Sequence, residues 1–123
     1  MRVMIFAKST PEAEQRPRDP DGQGWEEMAR FHQELEGAGV LVATGALTPS
    51  SAGVRVRFGD DAASVTDGPF TESKELVAGY WIWQVRSLEE AIEWLKRAPF
   101  PPGMELEVRP ILEMEMPTPD DAG

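Results

Sequence analysis

The chain has 123 residues, enough for one hydrophobic core and too few for two, so a single domain is expected. Its 22 acidic and 12 basic residues give a net charge of −10, a field that repels nucleic acid and anionic lipid, and neither is expected as a partner. It contains no cysteine, which excludes disulfides, thiolate nucleophiles and Cys-ligated zinc, while 41% apolar residues with four Trp and five Phe argue for a packed core over disorder.

At the start, Val3, Ile5 and Ala7 alternate with Met4 and Phe6. Both sets are apolar, which predicts a strand over Arg2–Lys8 with both faces covered, and not a signal peptide. No run approaches the ~20 apolar residues of a membrane span, so a cytoplasmic location without membrane contact is expected. Ser9–Gly24, with three Pro and two Gly, breaks the alternation and reads as a loop. From Trp25 the spacing turns helical, with Trp25, Met28, Phe31 and Leu35 on one stripe and Glu26, Glu27, Arg30 and Glu34 outward. Gly37 and Gly39 end that helix. Val40–Ala43 predicts a short strand, and Thr44-Gly45 through Ser51 a second loop.

Val54, Val56 and Phe58 alternate with Arg55 and Arg57, and Gly59-Asp60-Asp61 supplies a turn before Ala63–Thr66. This is the pattern of a hairpin with one apolar and one wet face. In Gly79–Val85, Tyr80, Ile82 and Gln84 alternate with Trp81, Trp83 and Val85, leaving large side chains on both sides. Ser87-Leu88-Glu89-Glu90 fits a capping box, in which the Ser oxygen accepts the Glu90 N–H and the Glu90 carboxylate reaches back to the cap. Leu88, Ala91, Ile92 and Leu95 form the buried stripe of the helix that follows, and Pro99 with Pro101-Pro102-Gly103 stops it. Met104, Leu106 and Val108 alternate with Glu105, Glu107 and Arg109, predicting a half-exposed strand with an extension through Leu112, Met114 and Met116. The domain is therefore taken as residues 1–116, with 117–123 a loose tail.

The order strand, helix, strand, hairpin, strand, helix, strand suits an α+β fold with a ferredoxin-like sheet and two helices on one face. Trp81 and Trp83, if left wet on the other face, would forgo several kcal/mol at about 25 cal/mol per Å². A two-fold homodimer packed sheet on sheet would cover them. The alternative cover is the chain's own loops, Ser9–Gly24 and Thr44–Gly53.

His32 is the only histidine, so two or three imidazoles cannot meet on a metal within one chain. No phosphate-cradling loop, nucleophile elbow or dinucleotide fingerprint occurs, and no cofactor is expected. His32 borders the apolar stripe of the first helix, either as a hydrogen-bonded imidazole at the edge of the core or as a general acid or base. Asp67 precedes Gly68-Pro69 and either caps its own turn or pairs with His32 at the mouth of a sheet-lined cavity. Glu72, Lys74 and Glu75 are a solvated charge run or ligand contacts, with Lys74 a point charge for an anion. Arg109 could hold an anion with two donors or pair with a neighbouring Glu. Phe6, Phe70, Tyr80, Trp81 and Trp83 are either core or the wall of a cavity for an apolar or aromatic small molecule. The ligand-binding candidates are thus Phe70, Glu72, Lys74, Tyr80, Trp81 and Arg109, around a pocket bounded by the first helix, the sheet and the Asp67–Lys74 loop.

Asp67-Gly68-Pro69-Phe70-Thr71-Glu72-Ser73-Lys74-Glu75, followed by Gly79-Tyr80-Trp81-Ile82, resembles the signature of the DGPF branch of the YCII-related proteins. Glu36-Gly37-Ala38-Gly39-Val40-Leu41, Val54-Arg55-Val56-Arg57 and Glu107-Val108-Arg109-Pro110 resemble the family in order and position, so the resemblance spans Arg2–Pro110. It implies a dimeric α/β barrel. Some members of the wider family carry a His and Asp pair with the His early in the first helix; Met28 stands at that place and His32 follows one turn later. The first functional reading is a dimeric protein that binds a small organic molecule, with acid–base chemistry as an extension and enzymatic activity left open. Family genes often lie beside those of extracytoplasmic-function sigma factors, which implies as a second reading a non-catalytic regulatory protein whose acidic surface meets a basic partner. Analogy with other dimeric α/β barrels adds a cofactor-free oxygenase or isomerase.

Overall fold

The computed structural model describes residues 1–15, 24–70 and 76–114. Strand β1 (Arg2–Ser9) is followed by a single-turn helix α1 (Pro11–Glu14), a long helix α2 (Trp25–Gly37) and strand β2 (Leu41–Ala46). A 3₁₀ turn (Ser50–Ala52) leads into strands β3 (Val54–Phe58) and β4 (Ala63–Asp67), then β5 (Leu76–Gln84), helix α3 (Leu88–Lys96) and β6 (Leu106–Pro110). Four strands form an antiparallel sheet in the order β2-β5-β1-β6, and β3 pairs only with β4 in a sheet of its own. Without that inserted hairpin, the order is the split βαβ arrangement of a ferredoxin-like fold.

Cross-strand pairing sets the core. Val3 lies opposite Trp83 and Ile5 opposite Trp81, so all four side chains share one face. On that face α2 adds Phe31 and Leu35, and α3 adds Ala91. The Phe31 ring meets Trp81 and Trp83 edge-on at 5.8 and 6.3 Å, a favoured aromatic geometry. The expectation that Trp81 and Trp83 need a second copy to cover them is therefore corrected: they are 6% and 0% exposed beneath the chain's own helices. Alternation along a strand separates two faces without saying which one the helices take. The face turned away from the helices carries Met4, Phe6 and Ile82, each half-buried.

Local chemistry explains where the elements begin and end. Ser87 Oγ accepts the Glu90 N–H at 3.1 Å, as the capping box requires, but the Glu90 carboxylate accepts the N–H of Arg86 at 2.7 Å instead of that of Ser87. That backbone bond, helped by the Arg86 guanidinium, holds the Glu90 carboxyl below its ordinary range. Within the expected loop Ser9–Gly24, Thr10 Oγ1 accepts the Ala13 N–H at 3.0 Å and Pro11 opens α1, a start signal overshadowed by the prolines after it. Strand β2 runs through Thr44 and Gly45, which were expected in a loop, because they pair with Trp81 and Tyr80 on β5. Gly45 is closely approached: a Cβ there would lie 2.6 Å from the Tyr80 ring, which would have to move aside.

Two further expectations change. The β3–β4 hairpin's alternation predicts one buried face, yet both of its faces are exposed within the chain, with Phe58 at 86%. Strand β6 stops at Pro110; Leu112 and Met114 are exposed and non-strand, Ile111 N–H donates to the Arg2 carbonyl at 2.9 Å, and Met116 lies outside the described residues. Among the described residues no helix is long and apolar enough to cross a membrane.

Candidate functional site

The sheet is not paved evenly. Toward one end its helix-facing surface is filled by Val3 and Trp83, while toward the other it narrows to Ala7, Ala46, Ala78 and Gly79. Small side chains leave a hollow that the helices do not fill. The result is an open cavity of about 530 Å³ between the sheet, α2 and residues 99–104. Helix α2 contributes Trp25, Met28 and His32, spaced three and four residues apart and so on one stripe. Pro99, Phe100 and Met104 form the opposite wall, and Phe100 meets Trp81 edge-on at 5.8 Å. Tyr80 is also among the lining residues, although alternation turns its ring, packed over Gly45, toward the face shared with Phe6 and Ile82. Among the described residues no Asp, Glu, Lys or Arg lines it.

His32 is tied to this cavity by one well-formed bond. The Trp81 indole Nε1–H donates to His32 Nε2 at 2.9 Å, with the two rings edge-on at 85°. Trp81 is almost fully buried, and an indole N–H in that position is costly unless it finds an acceptor. His32 supplies one from the edge of the core.

The Asp67-Gly68-Pro69-Phe70 turn is built elsewhere. Asp67 lies opposite Val54 at the end of the hairpin and is exposed, and Phe70 stacks under the Arg55 guanidinium, 3.8 Å from the ring centre. The turn is fastened through Ser50. Gly68 N–H donates to the Gly53 carbonyl at 2.9 Å and Phe70 N–H to Ser50 Oγ at 3.1 Å. The Ser50 hydroxyl and N–H in turn donate to the Glu14 carboxylate at 2.6 and 2.9 Å. Three segments distant in sequence meet at one serine.

The YCII-related domain matches residues 1–115. The chain belongs to the YCII-related domain family. An uncharacterised protein of Rhizobium meliloti (strain 1021) is 27% identical over 79 residues, so this YCII-related chain spans 64% of that relative's length and the match 64% of its own. Among solved structures it is similar to the 5-chloro-2-hydroxyhydroquinone dehydrochlorinase TftG of Burkholderia phenoliruptrix AC1100, in complex with 2,5-dihydroxybenzoquinone. That likeness has a TM-score of 0.51 at 15% identity and covers 93% of this chain and 96% of the other. It bears on the fold and agrees with the ferredoxin-like strand order.

Of the residues singled out in the sequence, the YCII-related fold brings His32, Tyr80 and Trp81 together at the cavity. It does not bring Asp67 or Phe70 there, and no hydrogen bond joins Asp67 to His32 within the chain. The reason is topological: β4 pairs with β3 and not with the main sheet, so the turn that follows it does not wall the cavity. Glu72 and Lys74 lie outside the described residues. The pocket expected between the first helix, the sheet and the Asp67–Lys74 loop thus has residues 99–104 as its third described wall. Phe100 and Met104 were not foreseen as site residues, because a Pro-Phe-Pro-Pro-Gly run reads only as a helix stop. Glu14 and Ser50 carry no sequence signal at all, since each falls in a different stretch that reads as loop from sequence.

Arg109 sits on the far face of the sheet, opposite Met4, and its Nε donates to the Glu107 carboxylate, which Lys8 Nζ also approaches at 3.0 Å. The ion pair with a neighbouring Glu is thus present. Arg109 first, and Lys8 second, hold the Glu107 carboxyl below its ordinary value. A carboxyl depressed in the folded state stabilises the fold above its unfolded pKa and loses that contribution as pH falls through the folded one. Thermal melts should therefore show wild type losing Tm more steeply than Glu107→Gln on acidification below about pH 5. Parallel curves for the two proteins would show that the cluster contributes nothing.

Proposed function

We propose that this protein is a homodimeric small-molecule-binding member of the DGPF branch, which takes a flat, uncharged organic molecule into the cavity over the Ala7–Gly79 end of the sheet. The observation that carries this reading is the lining: about 530 Å³, within the usual range of small-molecule sites, walled by Trp25, Trp81 and Phe100, with no Asp, Glu, Lys or Arg among the described residues that line it. A charged ligand would give up hydration there with no counter-charge from the described walls in return, whereas an aromatic ring would stack or pack edge-on. A quinonoid ligand in TftG, a protein of similar fold, favours the same chemical class. Acid–base chemistry would need a partner for His32 other than the Asp67 of its own chain.

The dimer is supported by two surfaces. Met4, Phe6 and Ile82 form an apolar patch on the helix-free face of the sheet, and Val54, Val56, Phe58 and Val65 form the exposed apolar side of the hairpin. A lone two-stranded hairpin is marginally stable in water, so a surface that covers it is favoured. Sheet packing between two copies buries both kinds of surface without drawing on Trp81 or Trp83.

Titration of intrinsic tryptophan fluorescence with 2-acetonaphthone, against wild type and Ala46→Phe, tests the binding site. Ala46 is exposed at the cavity's margin, so a phenyl group there fills the space without disturbing the core. The expected result is quenching by the ketone that weakens about tenfold or more in the variant, a loss of ~1.4 kcal/mol. Equal affinity in both proteins would place the ligand elsewhere. Sedimentation at micromolar concentration tests the dimer, and a monomer would overturn that part of the reading.

A further inference from the structure

Resting on the cavity reading above, we infer that His32 meets the bound molecule as a hydrogen-bond donor and not as a base, so that the ligand carries an acceptor oxygen, such as a carbonyl, on its ring. Trp81 is the positioning residue that fixes this polarity.

What each nitrogen can do decides this polarity. Indole Nε1–H donates and never accepts, so His32 Nε2, 2.9 Å away, must meet it with a lone pair. A neutral imidazole has one such nitrogen and one N–H, which places the proton on Nδ1. The ring is held to this choice by its partner. Turning Nε2 away, or protonating it, would leave the Trp81 N–H facing no acceptor in a position that is 94% shielded, since Trp81 is only 6% exposed. Free histidine has no such constraint. The lone pair a general base would use is thereby spent on Trp81, and the capacity that remains is donation from Nδ1.

His32 also lines a cavity whose other walls are mainly apolar, and the Thr44 hydroxyl beside it already donates to the Tyr80 carbonyl at 3.1 Å. A fixed donor among apolar walls discriminates by chemistry more than by size. A ligand without an acceptor displaces water from that N–H and returns nothing, and sites of this kind reject such analogues strongly. A ligand with a carbonyl satisfies it. The predicted ligand is therefore an uncharged aromatic or quinonoid ketone, not a hydrocarbon and not an anion.

His32 is the only histidine in the chain, so its imidazole nitrogens are identified without assignment by mutation. Nitrogen-15 NMR of the intact protein, at a pH where the ring is neutral, should show Nδ1 protonated and Nε2 bare. Trp81→Phe, which keeps an aromatic ring and removes the donor, should shift the population toward the Nε2–H tautomer. Binding supplies the second readout. Wild type should prefer 2-acetonaphthone over 2-ethylnaphthalene, its near-isostere without an acceptor, by about tenfold or more. His32→Leu should abolish the preference, and His32→Gln, which keeps an N–H donor, should restore part of it. An Nε2–H tautomer in wild type, or the same preference in His32→Leu, overturns the inference. If both naphthalenes bind alike and Ala46→Phe blocks both, the cavity reading stands and the donor role falls. If neither binds, or Ala46→Phe affects neither, both fall together.

Discussion

Trp83→Ala is expected to lower unfolding stability by about 3–5 kcal/mol, a large part of what a domain of this size possesses. Trp83 is the largest of the fully buried side chains, at 0% exposure. Its ring lies 5.2 Å from Trp81 and 6.3 Å from Phe31, and it stands opposite Val3 across the strand pair. Removing it deletes dispersion contacts on every side and leaves a cavity enclosed by both helices and the sheet, which can collapse only partly. The indole N–H of Trp83 has no hydrogen-bond partner. Trp83→Phe should therefore lose much less, under about 1.5 kcal/mol, because the smaller ring gives up volume but also removes an unpaired buried donor. Urea melts of the three proteins decide the matter. Equal losses for Ala and Phe would mean that the Trp83 N–H is paired after all and that its bond, not the packing, governs the site.

Gly68→Ala is the second substitution with a large expected effect, about 2 kcal/mol or more. A Cβ at Gly68 would fall 1.8 Å from the Ser50 carbonyl oxygen and 2.7 Å from its carbon. Both are backbone atoms, so no change of rotamer relieves the clash; the 3₁₀ turn has to move. Moving it breaks the Gly68 to Gly53 bond and the Phe70–Ser50–Glu14 chain in the same step. Gly68 has no positive φ, so the requirement comes from close approach and not from backbone conformation. Hydrogen exchange should accelerate at the Gly68 and Phe70 amides while the amides of β1 and β5 keep their protection. Unchanged exchange at Gly68 would show that the two turns are not packed as described.

These two positions differ in how plainly the sequence announced them. The Gly79–Val85 alternation marked Trp83 as a buried strand residue, and its neighbours in sequence were enough to say so. Gly68 stood out only within a family signature; its reason, a carbonyl from residue 50, comes from a segment 18 positions away. The same contrast runs through the candidate site. Trp25, Met28 and His32 were legible as one helical stripe, because helical period is a local property. Phe100 and Met104 were not, because their part in the cavity depends on the path of the chain after α3.

Composition, period and capping chemistry by themselves determined an α+β fold, its two main helices, its six strands in order and the aromatic strand at its centre. Each of these is decided by side chains within a few residues of one another, where sterics and burial act through the local backbone. Only the tertiary structure decided which face of β5 the helices cover, that the hairpin stands as a sheet of its own, and that His32 answers Trp81 and not Asp67. Those outcomes are choices between equally patterned surfaces. They are settled by long-range pairing, which brings a donor-only indole on one strand to the lone pair of an imidazole 49 residues before it.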